Sequence, residues 1–357
     1  MVSLAAMTGL GLCAGCGGSN SESAHDAAAG PDASKNVDSG SGGDADADTG
    51  ADTGADIGTN VDTGTDADTL APSVGWTVDE TTVGLAPLGL VCNKLPVYTG
   101  PSEIPAGSLI SGKRFTGNVS LHQGNITIEK SCFQPTSAGQ GMPIASTTNY
   151  NVPPYPSAKG KVIIRDSEFD GTLLTDEIAA YATGFIGIAD LQRNYVHHFG
   201  SGLALMNTGT QLDALVEHNY VTDMLGWGNP ATTGNHSDSF TIRDFTDAAR
   251  PNRVAIIRNN RFDCDSPNAT GAFFIQAWAG RIDNVTIQGN LLEGAGYNLV
   301  LESNNHGYSN VSATDNRFTP TGWGAAYHDG GEGWTVWQDN YRYDPTKPDG
   351  KGVPVSG

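Results

Sequence analysis

The sequence predicts an all-β solenoid in which short strands stack coil upon coil, and three features support this prediction. A phrase of the form apolar-x-apolar-x-x-Asn-x-apolar recurs along the chain, its copies are spaced in a nearly regular way, and a second apolar stretch follows most of them. Apolar and polar residues alternate with a period of two, which is typical of strands with one buried face. Units of two or three such strands cannot bury their apolar faces alone, so they stack.

Eight copies of the phrase align on one polar anchor residue. The anchors are Ser131, Ser167, Asn194, Asn219, Asn260, Asn290, Asn316 and Asn340. Their separations of 36, 27, 25, 41, 30, 26 and 24 residues indicate a solenoid with some longer coils rather than a globular α/β domain. Asparagine suits a turn at the anchor because it tolerates left-handed backbone angles and can hydrogen-bond to its counterpart in the next coil.

The residues around each anchor form columns that run through all the coils. Three residues before the anchors stand Ile128, Ile164, Leu191, Val216, Ile257, Ile287, Ala313 and Trp337. Two residues after them stand Phe133, Phe169, Val196, Val221, Phe262, Leu292 and Phe318, with Arg342 as the exception. Second strands follow at residues 202–205, 239–242, 272–275, 298–301 and 324–327. An antiparallel sandwich would need tight hairpin turns every 8 to 12 residues or so, and the sequence lacks them.

These features together resemble the right-handed parallel β-helix of the pectate-lyase-like superfamily. The resemblance covers residues 111–342 in about eight coils, and it implies the fold without implying a particular reaction. We expect residues 71–110 to cap the amino-terminal end of the stack and residues 343–357 to form a loose tail.

The acidic charge of the chain is concentrated before the solenoid. The 357 residues include 39 acidic and 19 basic side chains, and residues 20–70 alone hold 11 Asp, one Glu and one Lys, a net −11 of the total −20. This stretch repeats Asp, Thr, Gly and Ala and has no aromatic residue, so it cannot bury enough apolar surface to offset the entropy of ordering. We predict a disordered acidic tether over residues 17–70. The acidic balance argues against a nucleic-acid partner.

The first 16 residues have the composition of an export signal. Residues 2–15 are small and apolar and are too few for a membrane-spanning helix, which needs about 20. The stretch Leu12-Cys13-Ala14-Gly15-Cys16 resembles a bacterial lipoprotein box, with Cys13 where leucine is usual. The resemblance implies a signal peptide over residues 1–16, lipid on Cys16, and a protein anchored to the bacterial membrane at the cell surface or in the periplasm. The alternative is a chance apolar start.

Three cysteines remain for the folded part in an oxidising setting, and they cannot all pair within the chain. We prefer a disulfide between Cys92 and Cys132 because both lie near the start of the folded part, which leaves Cys264 as a spare thiol. The folded part contains no Cys-x-x-Cys pair, so a structural zinc site is not expected.

The longest coil marks the candidate site. Between Asn219 and Asn260 about 12 extra residues form a loop over residues 224–235, which leads directly into His236-Ser237-Asp238. Trp227 in this loop offers a flat apolar face of the kind that stacks on sugar rings. His197 and His198 follow an earlier anchor, and we interpret both as structural or peripheral.

One outward column closes the second strands and supplies the remaining candidate residues. It comprises Met206, Arg243, Gln276, Glu302 and His328, and Trp278 lies beside it. Lyases and C5-epimerases of uronates need a cation that neutralises the sugar carboxylate and a base that removes the adjacent proton. We assign Arg243 as the cation, His236 as the base oriented by Asp238, and His328 as the group that returns a proton. Trp227, Gln276, Trp278 and Glu302 would bind the polymer.

The sequence thus favours a monomeric, surface-tethered lyase or C5-epimerase of an acidic extracellular polysaccharide, whose membrane contact is the lipid anchor alone. The alternative is a non-catalytic carbohydrate-binding or adhesive β-helix, in which His236 and Asp238 only fix the loop. The sequence requires no cofactor. A calcium site around Asp263 and Asp265 is an open alternative. A polygalacturonase-type hydrolase is disfavoured because Asn207-Thr208-Gly209 and Asn305-His306-Gly307 lack the aspartates of that family's phrases.

Overall fold

The chain folds as a right-handed parallel β-helix built from three long sheets. The computed structural model describes residues 74–139, 141–148, 158–206, 211–278, 280–294, 296–304 and 306–357. The proposed signal peptide, Cys16 and the acidic tether lie outside the described residues. No helix within the described residues has the length and apolar character needed to cross a membrane.

Each of the first eight coils contributes one strand to each sheet. The nine-stranded sheet consists of β1 (Leu109–Ser111), β4 (Ile126–Glu129), β7 (Val162–Arg165), β10 (Asp190–Gln192), β13 (Ala214–Glu217), β16 (Ala255–Arg258), β19 (Ile282–Gln288), β22 (Tyr308–Thr314) and β25 (Val336–Gln338). The ten-stranded sheet consists of β2 (Arg114–Phe115), β5 (Cys132–Phe133), β8 (Glu168–Asp170), β11 (Tyr195–His197), β14 (Tyr220–Thr222), β17 (Arg261–Cys264), β20 (Leu291–Gly294), β23 (Arg317–Phe318), β26 (Tyr341–Tyr343) and β27 (Lys351–Pro354). The eight-stranded sheet consists of β3 (Val119–Ser120), β6 (Pro143–Ser146), β9 (Thr183–Gly187), β12 (Ser201–Met206), β15 (Ser237–Arg243), β18 (Ala269–Gln276), β21 (Tyr297–Glu302) and β24 (Gly324–Asp329). The short helix α1 (Asp176–Ala180) interrupts one coil.

The anchors form a continuous buried ladder at the turn between the nine-stranded and ten-stranded sheets. In successive coils each anchor N–H donates to the side-chain oxygen of the next anchor, from Ser131 to Asn340, over 2.9 to 3.2 Å. The predicted bond between counterparts is therefore confirmed. The anchor itself does not adopt the left-handed backbone conformation that we expected there. The residue before each anchor adopts it instead, for example Arg193 at φ 53° and Gly289 at φ 66°. The asparagine is thus selected for its side-chain bonds and not for its own backbone angle.

The predicted apolar columns fill the interior of the helix. Phe115, Phe133 and Phe169 stack ring on ring with centroids 4.8 and 4.2 Å apart, and the columns at the other sheets continue this core. Phe240 stacks on Phe262 across the interior in the same way. Burial of these rings supplies the apolar area that stabilises the stack.

Residues 74–95 run along the outer face of the ten-stranded sheet, and we name this segment the strap. Its backbone N–H groups at Gly75 and Gly84 donate to the Gly289 and Arg193 carbonyls over 2.8 Å, so it crosses many coils. At its far end Cys92 is disulfide-bonded to Cys132, and among the cysteines of the described residues Cys264 is the free thiol and is buried. After the strap, Val97 pairs with Arg114 and Glu103 pairs with Ser120, both in parallel. The cap expected over residues 71–110 stays a prediction.

The carboxyl-terminal residues close the stack instead of forming the loose tail that we expected. Strand β27 pairs antiparallel with β26, and the Trp337 indole N–H donates to the Val355 carbonyl over 2.8 Å. The pairing covers the open edge of the last coil, which a free parallel edge would expose to other chains.

Candidate functional site on the eight-stranded sheet

The long loop predicted over residues 224–235 is fixed by two asparagines. The Asn235 amide donates to the Leu225 carbonyl over 2.8 Å and accepts from the Trp227 N–H over 2.7 Å. The Asn268 amide bonds to the Trp227 carbonyl and to Asn235 over 3.1 Å. The loop is thereby held against the corner between the ten-stranded and eight-stranded sheets, with the Trp227 side chain exposed.

The loop delivers His236 and Asp238 to the first residues of β15. The His236 Nδ1 lies 3.1 Å from the Thr270 hydroxyl, and Asp238 accepts from the Gly271 N–H over 3.3 Å. Among the described residues, the His236 ring therefore contacts Thr270 on the neighbouring strand β18 and does not contact Asp238. Ser237, between them, points inward and bonds to the Leu225 carbonyl.

Asp238 has the most perturbed carboxyl of this face. Burial raises its pKa to about 7 from the ordinary 3.8, the Arg243 charge and the Gly271 hydrogen bond lower it in part, and Glu302 raises it further. Only 8% of the residue is exposed. A carboxyl with a pKa near neutrality exchanges a proton readily at physiological pH, which is the property of a general acid or base.

Strand register decides which side chains share the outward column. In register, the column contains Met206, Arg243, Gln276, Glu302 and Asp329. His328 instead pairs with Leu301, one position away, so its predicted place in the column is wrong and Asp329 takes it. The segment from the anchor to the column is one residue longer before Asp329 than before Glu302 in the preceding coil, and a slip of one residue moves a side chain to the other face.

The same slip affects Tyr327, because alternation from an outward His328 would turn the Tyr327 side chain inward. Tyr327 pairs with Val300 on the outer face and stacks on Tyr297 with ring centroids 5.2 Å apart. Trp323 packs edge-on against Tyr297 at 5.6 Å and is 60% exposed. These three rings, which we name the aromatic cluster, lie on the strands that follow Asp238 in the stack. Sequence reasoning missed the cluster.

Gln276 and Glu302 are joined across adjacent strands. The Gln276 amide donates to the Glu302 carboxylate over 2.8 Å. Burial raises the pKa of Glu302, its bond to Gln276 opposes that rise, and Asp329 adds to it. The Gln276 Oε1 has no hydrogen-bond partner among the described residues although the side chain is only 8% exposed. A buried acceptor without a donor is costly, so a ligand hydroxyl that reached this oxygen would satisfy it.

Arg243 precedes Gln276 in the column, and Trp278 lies beside it. The guanidinium lies 5.7 Å from the centroid of the Trp278 ring, which is 47% exposed. Between Arg243 and Asp238, the centre of the face is nearly inaccessible, with Thr241 and Phe274 at 6% exposure and Val300 at 2%. This dry centre explains why burial dominates the pKa of Asp238.

A cavity of about 370 Å³ continues the face past Glu302. It is lined in part by Arg281, Ser303, Tyr308 and Glu332. The Ser303 N–H donates to the Asp329 carboxylate over 2.9 Å, so the cavity borders the end of the outward column. The column and the cavity together give an extended polar surface with aromatic rings beside it.

Calcium around Asp263 and Asp265 receives no support from this arrangement. Asp263 lies on the ten-stranded sheet and accepts from the Thr222 hydroxyl over 3.3 Å. Among the described residues, the grouping of three His, Cys, Asp or Glu side chains with ligand atoms within 4.8 Å of one another does not include Asp263 or Asp265.

The sheets and this surface place the chain in the class of right-handed parallel β-helix proteins with an outward polar and aromatic face. No protein-family model, no curated protein and no solved structure matches the chain.

Proposed function

We propose that the protein acts on an extracellular polysaccharide at the outer face of the eight-stranded sheet, as a lyase or C5-epimerase that abstracts a proton. One observation carries this proposal: Asp238, with a pKa near 7, shares the face with Arg243 and with the aromatic cluster. The fold itself hosts many functions, so the argument rests on this site and not on the fold. Relationship to the pectate-lyase-like superfamily is part of the same proposal.

The reaction assigns one role to each charged group. Arg243 neutralises the uronate carboxylate, which makes the C5–H acidic, and the Asp238 carboxylate takes that proton. In a lyase the electron pair forms the C4–C5 double bond while the O4 leaving group departs and takes a proton from water. In an epimerase a proton returns to the opposite face of C5. Asp238 takes the role that we assigned to His236, because the pKa of Asp238 lies near neutrality and His236 contacts Thr270 instead.

The aromatic side chains and Gln276 would hold the polymer. Tyr297 lies two strands from Asp238 in the same column, a separation of about 10 Å, and Gly271 between them contributes no side chain. A sugar ring above Gly271 would meet Asp238 on one side and the Tyr297 ring on the other. Trp227 and Trp278 offer further stacking surfaces at the edges of the face.

Location at the bacterial membrane forms part of the proposal. The stretch Leu12-Cys13-Ala14-Gly15-Cys16 supports lipidation of Cys16, and the acidic residues after it support a tether. A monomer held in this way would work on polymers at the cell surface or in the periplasm. Calcium is not needed for the proton abstraction written here, because Arg243 supplies the positive charge.

A non-catalytic carbohydrate-binding module is the second candidate function. The acidic neighbours Glu302 and Asp329 and the low exposure of Asp238 favour it, since they oppose close approach of a polyanion. The two functions differ in one observable, the appearance of a chemically changed polymer.

Proton NMR of polysaccharides incubated with the purified protein in deuterated buffer tests the proposal. Olefinic signals would identify a lyase, and deuterium at C5 without chain cleavage would identify an epimerase. New reducing ends alone would identify a hydrolase and overturn the role of Asp238 as a base. Unchanged spectra across neutral and acidic polymers, in protein that binds one of them, would make the binding module the function.

Gln276→Ala is expected to weaken polymer binding about tenfold while turnover at saturation changes little. The variant removes the buried Oε1 acceptor, and one hydrogen bond of this kind contributes about 1 to 1.5 kcal/mol. KM or the dissociation constant for the active polymer measures the effect. Gln288→Ala, an exposed glutamine on the nine-stranded sheet, is the matched control. Equal behaviour of the two variants would remove Gln276 from the binding surface.

A further inference from the structure

Three side chains with metal-ligand chemistry converge on the outer face of the ten-stranded sheet. Glu168 and Asp170 lie on β8, and His197 lies opposite Asp170 on β11. The His197 Nε2 is 3.2 Å from the Glu168 Oε1, and one ligand atom from each of the three side chains lies within 4.8 Å of the others. The cluster is partly buried, and Asp170 is only 6% exposed. The sequence reasoning had treated His197 as structural or peripheral.

The cluster contains no lysine or arginine among its described contacts. In the described part of the chain neither carboxylate forms an ion pair with a lysine or an arginine. The nearby Arg193 is paired with Asp166 over 2.6 Å, and a single imidazole faces the two carboxylates. A divalent cation would add a strong attraction for the two carboxylates, whose described partners are hydrogen-bond donors and one imidazole.

The side chains are held in position and keep ligand atoms free. Asp170 accepts from the Gln134 amide over 2.6 Å and from the Thr172 N–H and hydroxyl over 2.8 and 2.6 Å. A carboxylate offers about four lone-pair positions, so one of them stays open. The His197 ring stacks on Tyr195 with centroids 4.4 Å apart, which fixes its orientation. Partners of this kind orient the ligands in known metal sites.

We propose that Glu168, Asp170 and His197 bind a divalent transition-metal ion, with Zn²⁺ as the preferred ion. An imidazole with two carboxylates suits Zn²⁺ better than Mg²⁺ or Ca²⁺, which take oxygen ligands. Three protein ligands leave one tetrahedral position open for water. The ion links β8 to β11 and so clamps two neighbouring coils. This site is independent of the proposed function, because it lies on a different sheet from Asp238.

Zinc binding to the purified full chain tests the proposal. After chelation and removal of the chelator, isothermal titration with Zn²⁺ should show one tight site, and the melting temperature should rise with added zinc. His197→Gln should weaken that site about 100-fold or more, since changes to outer-shell partners alone cost about 10- to 100-fold. Substitution with Co²⁺ should give the visible spectrum of tetrahedral coordination in the wild-type chain and not in His197→Gln.

The neighbouring histidine provides the control. His198 lies 3.0 Å from Asp223 and outside the cluster, so His198→Gln should bind zinc as the wild-type chain does. Glu168→Gln is a second ligand variant for the case in which His197→Gln does not fold. Absence of a tight site in the wild-type chain would overturn the proposal, and so would equal binding by the wild-type and ligand variants. Weak binding of several ions by the acidic tether would survive in every variant and would also count against it.

Discussion

Asp238→Asn is expected to lower polysaccharide turnover by about 10²- to 10⁴-fold while the protein still binds the polymer. Asparagine keeps the shape of the side chain and the acceptor for the Gly271 N–H, but it cannot take a proton. In the wild-type protein the rate should rise with pH through about 7, because the base is the ionised carboxylate. The variant should lose this limb of the pH profile.

The same substitution should stabilise the fold at neutral and alkaline pH. The pKa of Asp238 is about 7 when folded and near the ordinary 3.8 when unfolded, so the folded state holds the proton over that interval. The free energy of unfolding therefore falls as pH rises from about 4 to 7, by an amount on the order of 4 kcal/mol. Asp238→Asn has no proton to lose, and denaturant unfolding at pH 5 and pH 8 should show the difference. A gain in stability with a loss of turnover is typical of a functional residue.

Asp190→Asn is the matched control for Asp238→Asn. Asp190 is also a buried carboxyl with a raised pKa, caused mainly by burial, but it lies on the nine-stranded sheet with Lys161 at 2.6 Å. Its substitution should leave turnover unchanged. Full activity in Asp238→Asn, or equal losses in both variants, would contradict a catalytic role for Asp238.

The coil repeat was predictable from the sequence because it depends on local patterns. Each coil must bury one residue three positions before the anchor and another two positions after it, and Ile257 and Phe262 around Asn260 show both positions. The ladder was predictable for the same reason, since a buried amide at a fixed place in each coil meets its counterpart. The strap was not predictable, because the Gly75 and Gly84 N–H groups bond to carbonyls more than a hundred residues away.

The candidate site was predictable in part. Arg243, Gln276 and Glu302 each close an apolar second strand, and the structure aligns them as expected. His328 and Tyr327 follow a segment one residue longer than the one before Glu302, so their faces were exchanged. The proton-transfer role of Asp238 depends on burial by side chains from neighbouring coils, which no single stretch of sequence contains. Tertiary desolvation therefore decides the chemistry that local patterns leave open.

Asn260→Ala is expected to lower the free energy of unfolding by about 3 to 5 kcal/mol. The Asn260 Oδ1 accepts from the Asn219 N–H and amide over 2.9 Å, and its own amide donates to the Val216 and Arg258 carbonyls over 2.9 Å. Alanine removes all these bonds at once and leaves the Asn219 N–H buried without an acceptor. Urea unfolding of the wild-type and variant proteins measures the difference from the shift of the midpoint at an unchanged slope.

Asn260→Ser separates the ladder bond from the other contacts of the amide. Serine occupies the ladder naturally at Ser131 and Ser167, where the hydroxyl accepts the N–H of the preceding coil over 3.1 Å. The serine variant should therefore retain the acceptor for Asn219 and lose only the amide donors, with a cost near half that of alanine. Equal costs for the two variants would mean that the amide donors carry the stability. A cost below about 1 kcal/mol for alanine would show that water replaces the ladder, which a sealed turn between two sheets does not allow.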